Sequence, residues 1–285
     1  MSGTLTYDTF VSDPIAVDTA ETVPNGDRRM FSPLTATLIA GRESAVLVDP
    51  PLSIDQAAAV GDWIAESGKV LQAIYVTHGH GDHWFGAGPL LERFPGAQLH
   101  ALPGTIAMMK VHGSPKFRAG LWDRQFPGVV PATTAVAASP PPGGVIDLEG
   151  HDLLAIGVGH TDTDDTTILH VPDLDLVVAG DVVYNNVHQY LREARGDGIE
   201  RWLAALDVVA RLSPAYVVSG HKDKTKSDGA ETIEQTREYL LEARRQLDGR
   251  PTAMQFFESM LATFPRRLNP GALWSSAVAL LATEE

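Results

Sequence analysis

The chain has 285 residues, 44% hydrophobic and 20% charged, which is ordinary for a globular protein with a substantial core. Its formal net charge of −14 repels phosphate backbones and anionic lipid heads, so nucleic acid and membrane surfaces are poor partners. It contains no cysteine, which removes disulfides, thiolate nucleophiles, iron–sulfur clusters and Cys-ligated zinc.

The first residues have no basic start and no apolar run, and no stretch approaches the length of a membrane span, so a cytoplasmic chain is expected. Residues 4–12 alternate as an edge strand. Residues 34–40 and 45–49, joined by Gly41-Arg42-Glu43-Ser44, read as a β-hairpin stopped by Pro50 and Pro51. Ser53 caps a helix with Ala57, Val60, Trp63 and Ile64 on its apolar stripe, and Gly68 ends it. A buried strand over 70–76, a helix from about 84 to 94 and a short strand at 98–101 follow.

Residues 103–127 look helical, with breaks at Gly113 and Pro115, and 128–144 form a Pro-, Ala- and Gly-rich loop. Three or four strands fill 145–180, the last two at 166–171 and 174–179. A helix over 199–211, a strand over 215–219 and helices from about 228, with a break near 265–270, complete the chain. Helices separate blocks of strands in both halves, which predicts an α/β fold with covered sheets. The length fits one domain over 1–285 with a helical C-terminal extension from about 228.

The chemistry concentrates in Thr77-His78-Gly79-His80-Gly81-Asp82-His83, directly after the strand ending at Val76. Imidazole and carboxylate suit zinc and other divalent first-row metals. Two histidines two residues apart in an extended turn can point to one side, and Gly79 and Gly81 are expected to permit sharp turns. Three histidines and an aspartate within six residues are far more than a polar loop needs.

This H-x-H-x-D-H stretch resembles the signature of the metallo-β-lactamase fold superfamily. The further pieces of that pattern follow in order, each after an apolar run: Gly159-His160-Thr161, Gly180-Asp181 and Gly220-His221. The resemblance covers roughly residues 30–225. It implies an αββα sandwich of two mixed β-sheets flanked by helices, with two metal sites at one edge. His78, His80 and His160 would hold the first ion, and Asp82, His83 and His221 the second. Asp181 would bridge both, and Asp49 would stand behind as an orienting carboxylate. Zinc is the default ion, with manganese, iron, cobalt and nickel acceptable to the same ligands.

The activity so implied is hydrolysis of a small-molecule carboxylic derivative by a metal-bound hydroxide, because metal binding lowers the pKa of water to about 7. Asp82 or Asp181 would move the proton. Tyr184 would donate to a developing oxyanion, and Trp84, Phe85, Asn185, Asn186, His188 and Tyr190 are further pocket candidates. Glyoxalase-II-like thioesterases of this superfamily carry a Gly-His pair where this chain has Thr161-Asp162-Thr163-Asp164-Asp165. β-Lactamases are exported, and ribonuclease-like members need an attraction for nucleic acid that this chain lacks. A lactone or other ester remains, by elimination. The alternatives are a thioesterase, a β-lactam hydrolase and a mononuclear iron dioxygenase resembling the persulfide dioxygenases.

The other histidines, at 100, 112, 151, 170 and 188, are expected in structural or surface roles. The segment 105–126, with Met108, Met109, His112, Phe117, Trp122 and Phe126, is expected to pack as amphipathic helix in preference to forming a lid. Phe256, Phe257 and Met260 belong to a core or a homodimer contact.

Overall fold

The computed structural model describes residues 4–132 and 137–282. The first sheet contains β1 (Thr6–Ser12), β2 (Leu34–Ala40), β3 (Ser44–Val48), β4 (Val70–Tyr75) and β5 (Gln98–His100). They lie in chain order, antiparallel from β1 to β3 and parallel from β3 to β5. The second contains β6 (Val145–Leu148), β7 (His151–Gly159), β8 (Thr166–Val171), β9 (Leu176–Asn185) and β10 (Tyr216–Lys222), where β9 and β10 alone run parallel.

The two mixed sheets face each other and helices cover both outer faces, as expected. Between the sheets lie Ile39, Val46, Val48 and Tyr75 from the first and Leu148, Leu169, Val171, Val178 and Val218 from the second. Outside the first sheet, α1 (Ile54–Glu66), α2 (Ala87–Arg93), α3 (Pro103–His112), α4 (Pro115–Gly120) and α5 (Trp122–Gln125) bury Val60, Ile64, Leu90, Met109 and Trp122. Outside the second, α6 (Gly198–Arg211), α7 (Glu231–Asp248), α8 (Ala253–Thr263) and α9 (Pro270–Leu280) bury Trp202, Leu206, Tyr239, Phe256 and Phe257. Every residue of β2 and β9 is buried. Strands covered on both faces read as continuous apolar runs, which is why these are visible in the sequence.

Ser53 caps α1 as expected, in a reciprocal box with Gln56. The helix expected at 84–94 starts later, because residues 81–83 form a 3-10 turn and the Gly86 N–H is taken by Pro51 O at 2.8 Å. Residues 103–127 divide into α3, α4 and α5 at the expected breaks and at Leu121. Of the loop at 128–144, positions 133–136 lie outside the described residues, and Ser139 bonds back to Leu99 and Ala101 beside β5. The C-terminal helices break at 264–269, where Asn269 caps α9. The strands β9 and β10 run past their expected ends at 179 and 219, so Asp181 and His221 lie within strands. Register shifts between Val218 and His221 allow this.

Trp202 is fully buried, and its indole N–H donates to Val182 O of β9 at 2.9 Å. Trp202→Ala should lower the unfolding free energy by about 3–5 kcal/mol, read from the urea midpoint. Glu149, in the β6–β7 turn, accepts the backbone N–H groups of Glu43, Ser44 and Arg42 in the β2–β3 turn at 2.7–2.8 Å. These bonds hold its carboxyl below its ordinary value, that of Glu43 first. Its contribution is therefore complete above the unfolded glutamate pKa of about 4.3 and is lost as pH falls through the depressed folded value. Acid titrations of stability should show a shallower fall below that pH in Glu149→Gln than in the parent.

Candidate metal centre

The site is assembled at the ends of β3, β4 and β7 and within β9 and β10. Asp49 follows β3 in a left-handed conformation (φ 55°), which Asp tolerates better than most residues. Its carboxylate accepts the Thr77 N–H at 2.8 Å and the Thr77 hydroxyl at 2.7 Å, and stands 3.0 Å from His83 Nδ1. Thr77 O in turn accepts from Thr167 N at 2.8 Å and Thr167 Oγ1 at 2.7 Å, so the start of the histidine motif is fastened to both sheets. Gly79 and Gly81 are needed for close approach and not for positive φ. A Cβ at Gly79 would lie 2.2 Å from Met108 Cβ, and one at Gly81 would lie 2.3 Å from the Phe85 ring.

Among the described residues, three groups bring donor atoms within 4.8 Å of one another: Asp49, His78 and His83; His78, His80 and Asp162; and Asp82, His83 and His221. Asp181 joins the third group, with Oδ1 3.4 Å from His83 Nε2 and Oδ2 3.2 Å from His221 Nε2. The second predicted set, Asp82, His83, His221 and Asp181, is thus gathered in one place. His221 donates from Nδ1 to Pro33 O at 2.8 Å, which leaves Nε2 facing the carboxylates. His160 is in none of the three groups. Its Nδ1 is 2.7 Å from Asp164 Oδ1, and its Nε2 lies against Gly198 at the start of α6.

All of these side chains are buried, and burial costs charged groups dearly unless they are paired. Burial would raise the Asp82 carboxyl, but His83 and His221 hold it well below its ordinary value. Asp181 is held down against its burial by His221 and His83, and Asp162 by His78 and His80. Burial would lower His80, His83 and His221. Asp162 and Glu193 together outweigh it at His80, Asp82, Asp181 and Asp49 together outweigh it at His83, and Asp181 with Asp82 lifts His221 to about 10. His78 is lowered by its own burial and by His83.

Protons thus balance the carboxylates, and the chemistry of the donors suits divalent cations in their place. Half of the ten buried side-chain atoms without a hydrogen-bond partner among the described residues belong to these groups: His78 Nε2, His83 Nε2, His160 Nε2, Asp162 Oδ2 and Asp181 Oδ1. Buried polar atoms are seldom left so, and a cluster of them on imidazole and carboxylate groups fits metal ions. Gly220 keeps the space clear, because a Cβ there would lie 2.3 Å from Asp181 Oδ1.

The centre forms the floor of a cavity of about 1100 Å³ reached by His80, Asp82, Asp162, Asp181, Tyr184 and His221. Tyr184 donates to Asp181 Oδ2 at 2.5 Å, and burial, reinforced by Asp181, raises its hydroxyl well above the ordinary tyrosine value. Tyr190 also lines the cavity, but the other pocket candidates do not. Trp84 and Phe85 pack in the core under the motif, Asn185 donates to Ser227 O, Asn186 to Asp223, and His188 is buried against Tyr239. The segment 105–126 serves two ends: Met109, Trp122 and Phe126 pack in the core, while His112, Phe117, Leu121 and Trp122 face the cavity. His112, expected to be merely structural, stands with its ring 5.1 Å from that of His80, and burial lowers it to about 3. Two carboxylates escape sequence reasoning: Asp162, and Glu193, 3.1 Å from His80 Nε2. Asp162 carries a signal in its place two residues after His160; Glu193, 113 positions from its partner, carries none.

A family model described as Metallo-beta-lactamase superfamily matches residues 31–221. The chain belongs to that superfamily. Among solved structures, a metallo-beta-lactamase family protein from Thermus thermophilus aligns at TM-score 0.64 and 19% identity, covering 96% of this chain and 91% of that one. VMB-1 aligns at TM-score 0.60 and 18% identity, with coverage of 84% and 94%. The metallo-beta-lactamase FIM-1 from Pseudomonas aeruginosa, in a mono-zinc form, aligns at 0.55 and 17%, with coverage of 85% and 95%. At these identities the likeness shows the fold. No match is found among curated proteins.

The geometry puts Asp49 behind His83. Its carboxylate stands 3.0 Å from His83 Nδ1, with Nε2 toward Asp82 and Asp181. Carboxylates behind ligand histidines contribute about 10–100-fold to metal affinity. Asp49→Asn preserves the left-handed backbone and should weaken divalent-ion binding by that factor, measured by chelator competition.

Proposed function

We propose that the chain is a dinuclear metal-dependent hydrolase of carboxylic derivatives, with a lactone or other ester as the first substrate class. The observation that carries this reading is the presence of buried atoms without hydrogen-bond partners, His78 Nε2, His83 Nε2, Asp162 Oδ2 and Asp181 Oδ1, on two adjoining donor groups, His78–His80–Asp162 and Asp82–His83–His221 with Asp181, at a cavity floor. Two divalent ions, zinc first, would supply Lewis acidity and a water whose pKa falls to about 7. His160, with its free Nε2 buried nearby in the chain's β7–β8 loop, is retained as a candidate for the first ion.

The chain's own groups do the rest. Asp82 and Asp181 are held ionised, so each can take a proton and return it to a leaving group. Tyr184 keeps its proton and gives its one hydrogen bond to Asp181; it becomes a donor to developing negative charge on turning from that carboxylate. The walls combine Phe31, Phe117, Leu121 and Trp122 with Arg29, Lys116 and Arg124, which suits an acyl group with an apolar body and a polar or anionic end.

A second reading has an observation of its own. His78, His80 and Asp162 together make two imidazoles and one carboxylate, the donor set of non-haem iron sites. Oxygen chemistry on one iron is therefore the alternative, followed by thioester and β-lactam hydrolysis on the same fold.

Elemental analysis of protein purified without added metal decides between them. Two zinc or similar ions per chain are expected, with hydrolysis highest on lactones and esters in a panel that also holds thioesters and β-lactams. His80→Ala should lose one ion and at least about 10²-fold in kcat, in line with removal of a main charge-stabilising group. One iron per chain with oxygen uptake would overturn the hydrolase in favour of the dioxygenase.

A further inference from the structure

The loop after β7 carries two candidate donors, and they are placed differently. His160 has its Nδ1 on Asp164, which also receives Arg201 at 3.2 Å, and its Nε2 lies beside Gly198 without a hydrogen-bond partner. Asp162 is wholly buried, with Oδ2 against the histidine motif. Its Oδ1 accepts the Thr161 hydroxyl at 2.9 Å, and that hydroxyl sits 2.9 Å from Thr166 Oγ1, so the carboxylate is oriented from behind. Its Oδ2 stands 3.5 Å from His78 Nε2 and 2.7 Å from His80 Nδ1. No hydrogen bond of acceptable geometry reaches Oδ2, or His78 Nε2 opposite it.

We propose that Asp162 is itself a ligand of the first metal ion, together with His78 and His80. This rests on the metal-centre reading above and adds a ligand to it. Atoms that share one zinc at about 2.0–2.2 Å stand roughly 3–3.5 Å apart; Asp162 Oδ2 and His78 Nε2 already do, while His80 Nδ1, 2.7 Å from Oδ2, would draw back to share the ion. A carboxylate fixed by the Thr161 hydroxyl, with its other oxygen held against two imidazoles but without a hydrogen bond of acceptable geometry, has the form of a ligand with its supporting contact already made. His80 is braced likewise, because Glu193 Oε1 lies 3.1 Å from its Nε2 while Nδ1 faces Asp162, and Thr163 holds Glu193 at 2.8 Å. The consequence is chemical. An anionic oxygen in the set lowers the Lewis acidity of the first ion and favours harder ions, manganese or iron, more than an all-imidazole set does.

The test is cobalt(II) titration of the metal-free chain, followed by its visible absorption, in the parent and in Asp162→Asn, with circular dichroism as the check on folding. The parent should bind two ions. Asp162→Asn keeps the shape and the Thr161 contact; it should bind one ion as before and the other at least about 10-fold more weakly, with a changed visible band. His221→Ala should instead weaken the other site. Two ions of parental affinity and spectrum in Asp162→Asn would overturn the inference and leave the metal-centre reading standing. No bound ion in the parent would overturn both. If Asp162→Asn does not fold, anomalous diffraction from crystals of the cobalt-loaded parent takes its place. An ion within about 2.2 Å of Asp162 supports the assignment, and one bound by His78, His80 and His160 with Asp162 beyond bonding distance overturns it.

Discussion

Four carboxylates, Asp49, Asp82, Asp162 and Asp181, are buried among five buried histidines. Burying charge without compensation costs several kcal/mol for each ion, so the fold can hold this cluster only while positive charge is interleaved with it. His80, His83 and His221 supply that charge when protonated, which is why their basicity rises although burial alone would reduce it. Several rings and carboxylates meet at ion-pair distance yet make no hydrogen bond, an arrangement able to hold metal ions as well as protons.

Such a cluster demands a rigid mount, and the mount is the seam between the two sheets. Thr77 carries it: Asp49 at the end of β3 grips it from one side and Thr167 of β8 from the other. Tyr75 reaches the same Thr167 hydroxyl at 2.7 Å, deep in the apolar layer between the sheets. Gly180 comes so near that a Cβ there would lie 2.4 Å from Thr77 Oγ1. A shift of either sheet would therefore move Asp181 against His83. Packing of the inner layer and geometry of the centre are one constraint, met by one set of contacts.

The parts of this arrangement that are legible in the sequence share a property: they are local. The motif from His78 to His83, the apolar runs of β2 and β9 and the Ser53 cap each lie within one short window. The ordered appearance of His160, Asp181 and His221 after apolar runs extends that reach, through a resemblance to a family. What stays hidden depends on contacts across the fold. In the sequence Asp162 is one polar residue in a polar turn, and only the fold brings the histidine motif over it. Glu193 and His112 meet His80 only because the segment before α6 and the end of α3 converge on it. The ends of β9 and β10 are illegible for a related reason: the register shifts that carry these strands onward arise from their pairing, which no single segment encodes.

The same division separates the donors from the walls around them. The donors and the seam lie between residues 31 and 221, the part of the chain that matches the superfamily. The cavity wall draws on residues from both inside and outside that range. Asn269, Gly271, Ala272, Ser275 and Ala279 of the C-terminal extension line it, together with Phe117, Leu121 and Arg124 of α4 and α5 and the segment joining them. The extension is held in place by its own contacts: Leu268 pairs with Val187, and Ser276 accepts the Leu191 N–H at 2.8 Å. It thereby fixes the stretch from 187 to 195 that carries Tyr190 and Glu193 to the metal centre. The wall around the donors is thus built largely from segments other than those that carry them. An acidic chain can still receive an anionic substrate there, because Arg29, Lys116, Arg124, Arg192 and Arg195 all face the cavity, and any bound cations would add to their field.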